Sequence, residues 1–412
     1  MKAGISSIGI YIPPLYLSHD DLADARDIPR DKYKIGLGNI NMAIVPPWDD
    51  PVTMAANAAK MAMEAAGVEK DEIGLLIVST ETGVDQSKPV SSFVHGLLGI
   101  GRRSRVYEIK HACYGGTVAI MNAVNWVRSQ HHRGKKALVI TTDIAKYGLN
   151  TAGEPTQGAG AVAFIISDET EFMHFLPSMN AFYSNDVHDF WRPNGYATPM
   201  VDGKYSIQCY LDALEFCSHD LQDNLMQETG KHLLDFVDYF IYHLPFTKMA
   251  KKAHTKMLAT LRPELNEEQI AAIYEADYAD KIQPALTGSQ QVGNIYTGSV
   301  YMCLLSLLES KQEELENKNI GIFSYGSGCG AEFLISHVGR GLQQQLQKLN
   351  FRKQIDRRIK ISMDEYAAIY GDKDQAAALQ MGMELQDADP FSRFIFTGIK
   401  EHKRQYVKTG SH

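Results

Sequence analysis

Gly74-Leu75-Leu76-Ile77-Val78-Ser79 is a six-residue run, apolar almost throughout and without polar alternation. It is too short for a stable helix, so it predicts a strand buried on both faces. Lys136-Ala137-Leu138-Val139-Ile140-Thr141 and Val162-Ala163-Phe164-Ile165-Ile166 read the same way. Helical periodicity alternates with these runs. Pro51 to Ala66 predicts one helix, whose alanines and methionines suit close packing. Tyr114 to Arg128 predicts another, apolar nearly all round as far as Asn125 and therefore central. This alternation defines an α/β fold around a mostly parallel sheet.

The second half of the chain repeats the plan. Val237 to Tyr242, Ile320 to Phe323 and Glu332 to Ile335 predict strands, and Gly298 to Glu309 an apolar helix. Ala112-Cys113-Tyr114-Gly115-Gly116-Thr117 answers Gly293-Asn294-Ile295-Tyr296-Thr297-Gly298. Gly158-Ala159-Gly160 before Phe164 answers Gly328-Cys329-Gly330 before Phe333. Identity between the halves is weak, so the expectation is a structural duplication, with halves at 1–168 and 169–412. Gly203 to Gly230 predicts a polar, helix-rich insertion between them, and Lys252 to Lys281 a mobile, charged helical excursion. From Phe351 onward the chain is charged, carries no clear strand and is expected to wrap the surface.

Composition narrows the class. With 412 residues, 44% hydrophobic and 22% charged, the chain reads as an ordinary soluble globular protein. A formal net charge of -8 supplies no field to favour nucleic acid or an anionic membrane. The basic stretch His131-His132-Arg133-Gly134-Lys135-Lys136 reads as a solvated loop. Cys113, Cys209, Cys217, Cys303 and Cys329 form no CxxC pair and no close spacing, which argues against a disulfide framework or a zinc–cysteine site. Neither a signal peptide nor an apolar run of about 18 residues is recognised, so a reducing cytoplasm is the expected location.

Cys113 follows the strand pattern Val106-Tyr107-Glu108-Ile109-Lys110 and precedes a predicted helix with Gly115 and Gly116 in its first turn. A helix dipole there would lower the thiol pKa, the glycines would let substrate approach the backbone, and free N–H groups would face an oxyanion. A buried core cysteine is the competing reading. Cys209, Cys217 and Cys303 lie in helical patterns and read as core, with Cys329 in between. His243 ends a strand before Leu244-Pro245-Phe246, where it is either a catalytic group at a strand tip or a structural hydrogen bonder. Lys248, Lys251 and Lys252 just beyond it can meet an anionic phosphate or form a solvated face. Glu81 and Asp143 each end a buried strand, as candidate general bases or as loop carboxylates. Asp202 reads as turn chemistry.

Taken in order, several segments resemble the 3-hydroxy-3-methylglutaryl-coenzyme A synthases of the thiolase superfamily. They are Ser79-Thr80-Glu81-Thr82-Gly83-Val84-Asp85, His111-Ala112-Cys113-Tyr114-Gly115-Gly116-Thr117, Gly153-Glu154-Pro155-Thr156-Gln157-Gly158 and Asp189-Phe190-Trp191-Arg192-Pro193. His243-Leu244-Pro245-Phe246-Thr247-Lys248-Met249, Val292-Gly293-Asn294-Ile295-Tyr296-Thr297 and Phe323-Ser324-Tyr325-Gly326-Ser327-Gly328 continue the series. The resemblance runs from about Gly4 to Tyr406 and is strongest to the bacterial mevalonate-pathway enzymes.

The resemblance implies a thiolase-like αβαβα five-layered sandwich of two related halves and a homodimer. It implies that Cys113 takes the acetyl group of acetyl-CoA, that Glu81 removes a proton from the acetyl methyl, and that His243 protonates or polarises the C3 oxygen of acetoacetyl-CoA. Asn294 and Ser327 match positions that contact acyl oxygens. Lys32, Lys248 and Lys252 match the region that meets the CoA phosphates, and Thr156, Ser206 and Tyr325 line the pocket. No metal and no cofactor beyond the coenzyme A thioester substrates is implied. The short Tyr147 to Thr156 segment favours free CoA substrates over the carrier-protein thioesters of the polyketide β-branching relatives. A ketoacyl-synthase-like enzyme also uses Cys, His and Asn but needs no carboxylate base, so Glu81 separates the two.

Overall fold

The computed structural model of the chain describes residues 3–370 and 389–409. Strand β1 (Gly4–Tyr11) is followed by the short β2 (Leu15–Ser18) and β3 (Asn41–Ile44), the helix Pro51–Ala66, β4 (Ile73–Ser79) and β5 (Arg105–Ile109). The helix Gly115–Arg128, β6 (Lys136–Ala145) and β7 (Gly158–Ser167) come next. Then follow β8 (Met173–Ser184), a ribbon of β9 (Phe190–Trp191) and β10 (Met200–Val201), the helix Gly203–Thr229 and β11 (Tyr239–Tyr242). The helices Met249–Leu261, Glu267–Asp277 and Ser299–Lys311 lead to β12 (Asn319–Gly326) and β13 (Gly330–Val338). β14 (Ile359–Lys360), β15 (Phe394–Lys400) and β16 (Lys403–Lys408) close the chain.

Nine strands form one sheet in the order β11-β12-β13-β8-β1-β7-β6-β4-β5. The expected mostly parallel sheet is instead mixed. Only β4–β5, β4–β6 and β11–β12 run parallel. The connection β12–β13 is too short for the crossover that parallel neighbours need, and the longer β6–β7 loop holds no α-helix to cross the sheet, so both pairs are antiparallel. The seam lies where Gly4 and Ile5 of β1 pair with His174 and Met173 of β8. Outward from it, β1-β7-β6-β4 and β8-β13-β12-β11 repeat the same sequence of directions. Among the described residues β5 has no counterpart and forms an edge.

Alternate residues of the buried strands serve two faces. Leu76 and Val78 of β4 share a core with Met54, Ala55, Ala58 and Ala62 of the Pro51–Ala66 helix. Leu75 and Ile77 face the other way, into a core with Ala119, Ile120 and Val124 of one central helix and Val300, Leu304 and Leu307 of the other. The Pro51–Ala66 helix begins at a reciprocal cap between Asp50 and Thr53, with Pro51 in the first turn.

Three expectations are corrected. The Gly203–Thr229 helix follows β8 as the Pro51–Ala66 helix follows β1, and it buries Cys209, Tyr210, Leu214, Cys217 and Leu221, so it is a layer of the fold and not an insertion. Its polar outer face masked that inner stripe. The excursion after Lys252 is helical but anchored, because His254 is fully buried with Nδ1 2.8 Å from the Tyr242 hydroxyl. The C-terminal stretch carries the β15–β16 hairpin, whose Arg404 and Tyr406 donate to Asp50. Its turn uses Glu401 and His402 at φ of 50° and 61°, without the Asn or Gly that signals such a hairpin. Residues 371–388 of that stretch lie outside the described residues. Within the basic loop, His132 is buried, with Nε2 3.0 Å from Asp168 Oδ2.

Candidate active site

Cys113 sits in a tight turn between β5 and the helix Gly115–Arg128, just ahead of the helix cap at Tyr114. Ala112 before it is held at φ 41°, a strained conformation for a residue with a Cβ. The N–H groups of Tyr114 and Gly115 both donate to the His111 carbonyl, so neither is free for a substrate oxyanion. Nor do the glycines open the backbone to substrate. A Cβ on Gly116 would lie 2.3 Å from the Thr297 carbonyl oxygen, so its bareness lets the two halves of the chain touch.

The Cys113 thiol points at Glu81, with Sγ 3.6 Å from Oε1. Burial, and then the charges of Glu81, Asp143 and Asp189, push this thiol up in pKa, the reverse of the lowering expected from the helix dipole alone. The Glu81 carboxyl is pushed up to about 8, first by burial and then by Asp143, against the pull of Arg192 and the Cys113 hydrogen bond. The resting pair is therefore mostly protonated near neutrality, and the fraction with Glu81 ionised is the one that can take the thiol proton.

Asp143, at the end of β6, organises the loop that carries Glu81. Its Oδ1 accepts from the Thr80 hydroxyl at 3.0 Å, from the Glu81 and Thr82 N–H groups at 2.9 and 3.1 Å, and from the Thr82 hydroxyl at 2.9 Å. Its Oδ2 accepts from the N–H and hydroxyl of Thr297, in the second half. So many donors fit a positioning role better than that of a base. Arg192 adds a bond from its guanidinium to the Glu81 carbonyl.

A second buried carboxylate, Asp189, gathers the far side. Its Oδ2 accepts from the Tyr325 hydroxyl at 2.9 Å and the Ser206 hydroxyl at 3.0 Å, and its Oδ1 from the Gly328 N–H at 2.9 Å. Sequence reasoning placed Asp189 in a motif but assigned it nothing, because a lone Asp between a loop and a two-residue strand carries no local signal. Tyr147, Phe190 and Tyr296 form an aromatic cluster packed against Cys113, and the cluster was likewise missed.

His243 leaves the tip of β11 beside β12, its N–H donating to the Phe323 carbonyl at 2.8 Å. A Cβ on Gly326, three residues past Phe323 on β12, would meet the Tyr114 nitrogen, so β12 runs from beside the histidine to the cysteine turn. The ring is buried, Nδ1 has no hydrogen-bond partner among the described residues, and burial lowers its pKa to about 3. A neutral imidazole can polarise an oxygen by donating N–H but is not a standing imidazolium. Asn294 is buried with Oδ1 accepting from Tyr296 N–H and the Ser299 hydroxyl, and its own N–H donates to the Thr156 carbonyl at 3.3 Å.

Ser327 and Glu81 line one cleft of about 1050 Å³, together with His111, Trp191 and Arg192. The three lysines stand apart from it on the surface. Lys248 donates from Nζ to the Ile35 carbonyl at 3.2 Å, which sets it beside the Asp31–Lys34 turn that carries Lys32, and Lys252 lies one helical turn further on.

A duplicated mixed sheet with a cysteine–carboxyl pair at its strand ends defines the class, an acyl-transferring enzyme of the thiolase fold. The family model for the N-terminal part of hydroxymethylglutaryl-coenzyme A synthase matches residues 1–171, and that for the C-terminal part matches residues 173–271 and 259–406. The chain belongs to the hydroxymethylglutaryl-CoA synthase family. It is 40% identical to the hydroxymethylglutaryl-CoA synthase of Enterococcus faecalis over 374 residues, 90% of this chain and 92% of that one. It is 33% identical to the polyketide-biosynthesis 3-hydroxy-3-methylglutaryl-ACP synthase PksG of Bacillus subtilis, over 90% of this chain and 88% of that one. A solved structure of MvaS in complex with 3-hydroxy-3-methylglutaryl coenzyme A superposes with a TM-score of 0.90 at 36% identity, covering 99% of both chains.

Proposed function

We propose that this chain condenses acetyl-CoA with acetoacetyl-CoA and water to HMG-CoA and free CoA, supplying the mevalonate route to isoprenoids. The observation that carries the mechanism is the Cys113 thiol 3.6 Å from a Glu81 carboxyl whose pKa stands near 8. In its ionised form Glu81 accepts the thiol proton as Cys113 attacks the acetyl carbonyl and passes it to the departing CoA sulfur, so that CoA leaves as its thiol and Glu81 is a carboxylate again. With the sulfur acylated, Glu81 removes a proton from the acetyl methyl, and the carbanion attacks C3 of acetoacetyl-CoA. His243, neutral, hydrogen-bonds the C3 oxygen through an N–H, and the proton that this oxygen takes up to become the hydroxyl balances the one Glu81 removed from the methyl. Water then cleaves the thioester to Cys113 and releases HMG-CoA. Covalent catalysis divides one difficult condensation into steps and predicts ping-pong kinetics.

Asn294 and the Ser327 backbone contact acyl oxygens in this reading, and Thr156 lines the pocket. Ser206 and Tyr325, both bound to Asp189, line the pocket wall. Lys32, Lys248 and Lys252 meet the CoA phosphates. The enzyme works in the cytoplasm as a homodimer, joined through the unpaired edge of β5. Turnover with free acetoacetyl-CoA against the carrier-bound thioester tests the substrate class. Faster turnover of the free form supports this reading, and activity on the carrier form alone replaces it with the polyketide reading.

A further inference from the structure

The described chain holds a buried carboxylate that the proposed mechanism does not use. Glu332 of β13 is 2% exposed. Its Oε2 accepts from the Tyr114 hydroxyl at 3.0 Å, and its Oε1 accepts from the Asn180 side-chain amide on β8 at 3.1 Å. No lysine, arginine or histidine pairs with it among the described residues. Burying a carboxylate on two neutral donors opposes its charge, and burial accordingly pushes its pKa up to about 6. An apolar residue would serve the core better, so the site asks for another explanation.

What it holds is the residue after the nucleophile. The turn 111–114 is wedged against the β12–β13 hairpin. A Cβ on Gly326 would lie 2.5 Å from the Tyr114 nitrogen, and one on Gly330 would lie 2.7 Å from the His111 ring and 2.9 Å from the Tyr114 ring. Glu332 stands two residues beyond Gly330, on the same face of β13, and closes over the end of the Tyr114 side chain. Ala112, in the same turn, is held at φ 41°, a conformation that the surrounding contacts must impose on a residue with a Cβ.

We propose that Glu332 is a positioning residue for the nucleophile: through the Tyr114 hydroxyl it holds the strained turn so that the Cys113 sulfur stays against Glu81. This rests on reading Cys113 as the acetylated residue. Single-turnover transfer from radiolabelled acetyl-CoA tests it in the full-length wild type, E332A, E332Q, Y114F and the E332A/Y114F double variant, with thermal melts to verify folding. E332A should slow transfer roughly 10- to 100-fold at saturating acetyl-CoA, as a nucleophile displaced by about an ångström would, with the half-saturating concentration unchanged. E332Q, which can still accept from Tyr114, should restore the rate. Y114F should be as slow as E332A, and the double variant no slower than either, because one interaction is being removed twice. Should E332A fail to fold, Y114F against the wild type carries the test. Wild-type transfer in E332A or Y114F, equal slowness in E332Q and E332A, or additive losses in the double variant would each overturn the proposal. A wild type that accepts no acetyl group overturns the reading of Cys113 instead.

Discussion

At the residue scale the chemistry turns on three pKa displacements. Glu81 acts as a base only when ionised, so condensation should fall about tenfold per pH unit below roughly pH 8 and level off above it, a limb that a pH–kcat profile reads. Asp143 contributes to that upward push, so Asp143→Asn should move the limb to lower pH while lowering kcat, because the loop carrying Glu81 loses acceptors. Glu81→Gln should slow formation of the acetyl-enzyme, since Cys113 loses its proton acceptor, and cut condensation by about 10²- to 10⁴-fold beyond that, seen as labelled acetyl that accumulates on the protein without HMG-CoA. The same variant should melt at a higher temperature above pH 8. A carboxyl whose folded pKa is raised stabilises less as pH climbs from its unfolded value to its folded one, and glutamine removes that loss. Cys113, Glu81 and His243 stood out in the sequence as candidates at or just past strand patterns, and their roles came from the family resemblance. Their electrostatics were not legible. The helix terminus argued for an acidic thiol, whereas burial beside carboxylates raises it, and neighbours distant in sequence cannot be read locally.

Elements meet at two carboxylates. Asp143 joins the end of β6 to the Glu81 loop and to Thr297, and Asp189 joins the start of β9 to the end of β12 and the first turn of the Gly203–Thr229 helix. Asp189→Ala releases three donors at once and should destabilise the protein by about 3 kcal/mol, measured by urea unfolding. Asp202, read from sequence as turn chemistry, is the N-cap of that helix, its side chain accepting from the Tyr205 N–H. Asp202→Ala should cost about 1 kcal/mol by the same measurement and leave acetyl transfer intact. The apolar strands and central helices were legible because burial on both faces leaves a continuous run. The Gly203–Thr229 helix was read as helical but not as a core layer, since its buried stripe lies under a charged face, and the β15–β16 hairpin was missed because it turns without glycine.

For the whole molecule, the seam at Gly4–His174 makes two repeats share one sheet, and the site draws on both. Glu81 and Cys113 come from the first, while His243, Asn294 and Ser327 come from the second. The duplication was legible from parallel glycine motifs at matching places, but the strand directions were not, because loop lengths decide them only after pairing is known. The proposed dimer gives β5 a partner for its open edge, so Val106→Pro, which removes a ladder donor, should shift sedimentation from dimer to monomer. The central claim is that Cys113 carries the acetyl group. Intact-protein mass spectrometry after mixing with acetyl-CoA alone tests it most directly. The account predicts a gain of about 42 Da, one acetyl group on the covalent intermediate, which is lost in Cys113→Ala. An unchanged wild-type mass, or the same gain in Cys113→Ala, would contradict it.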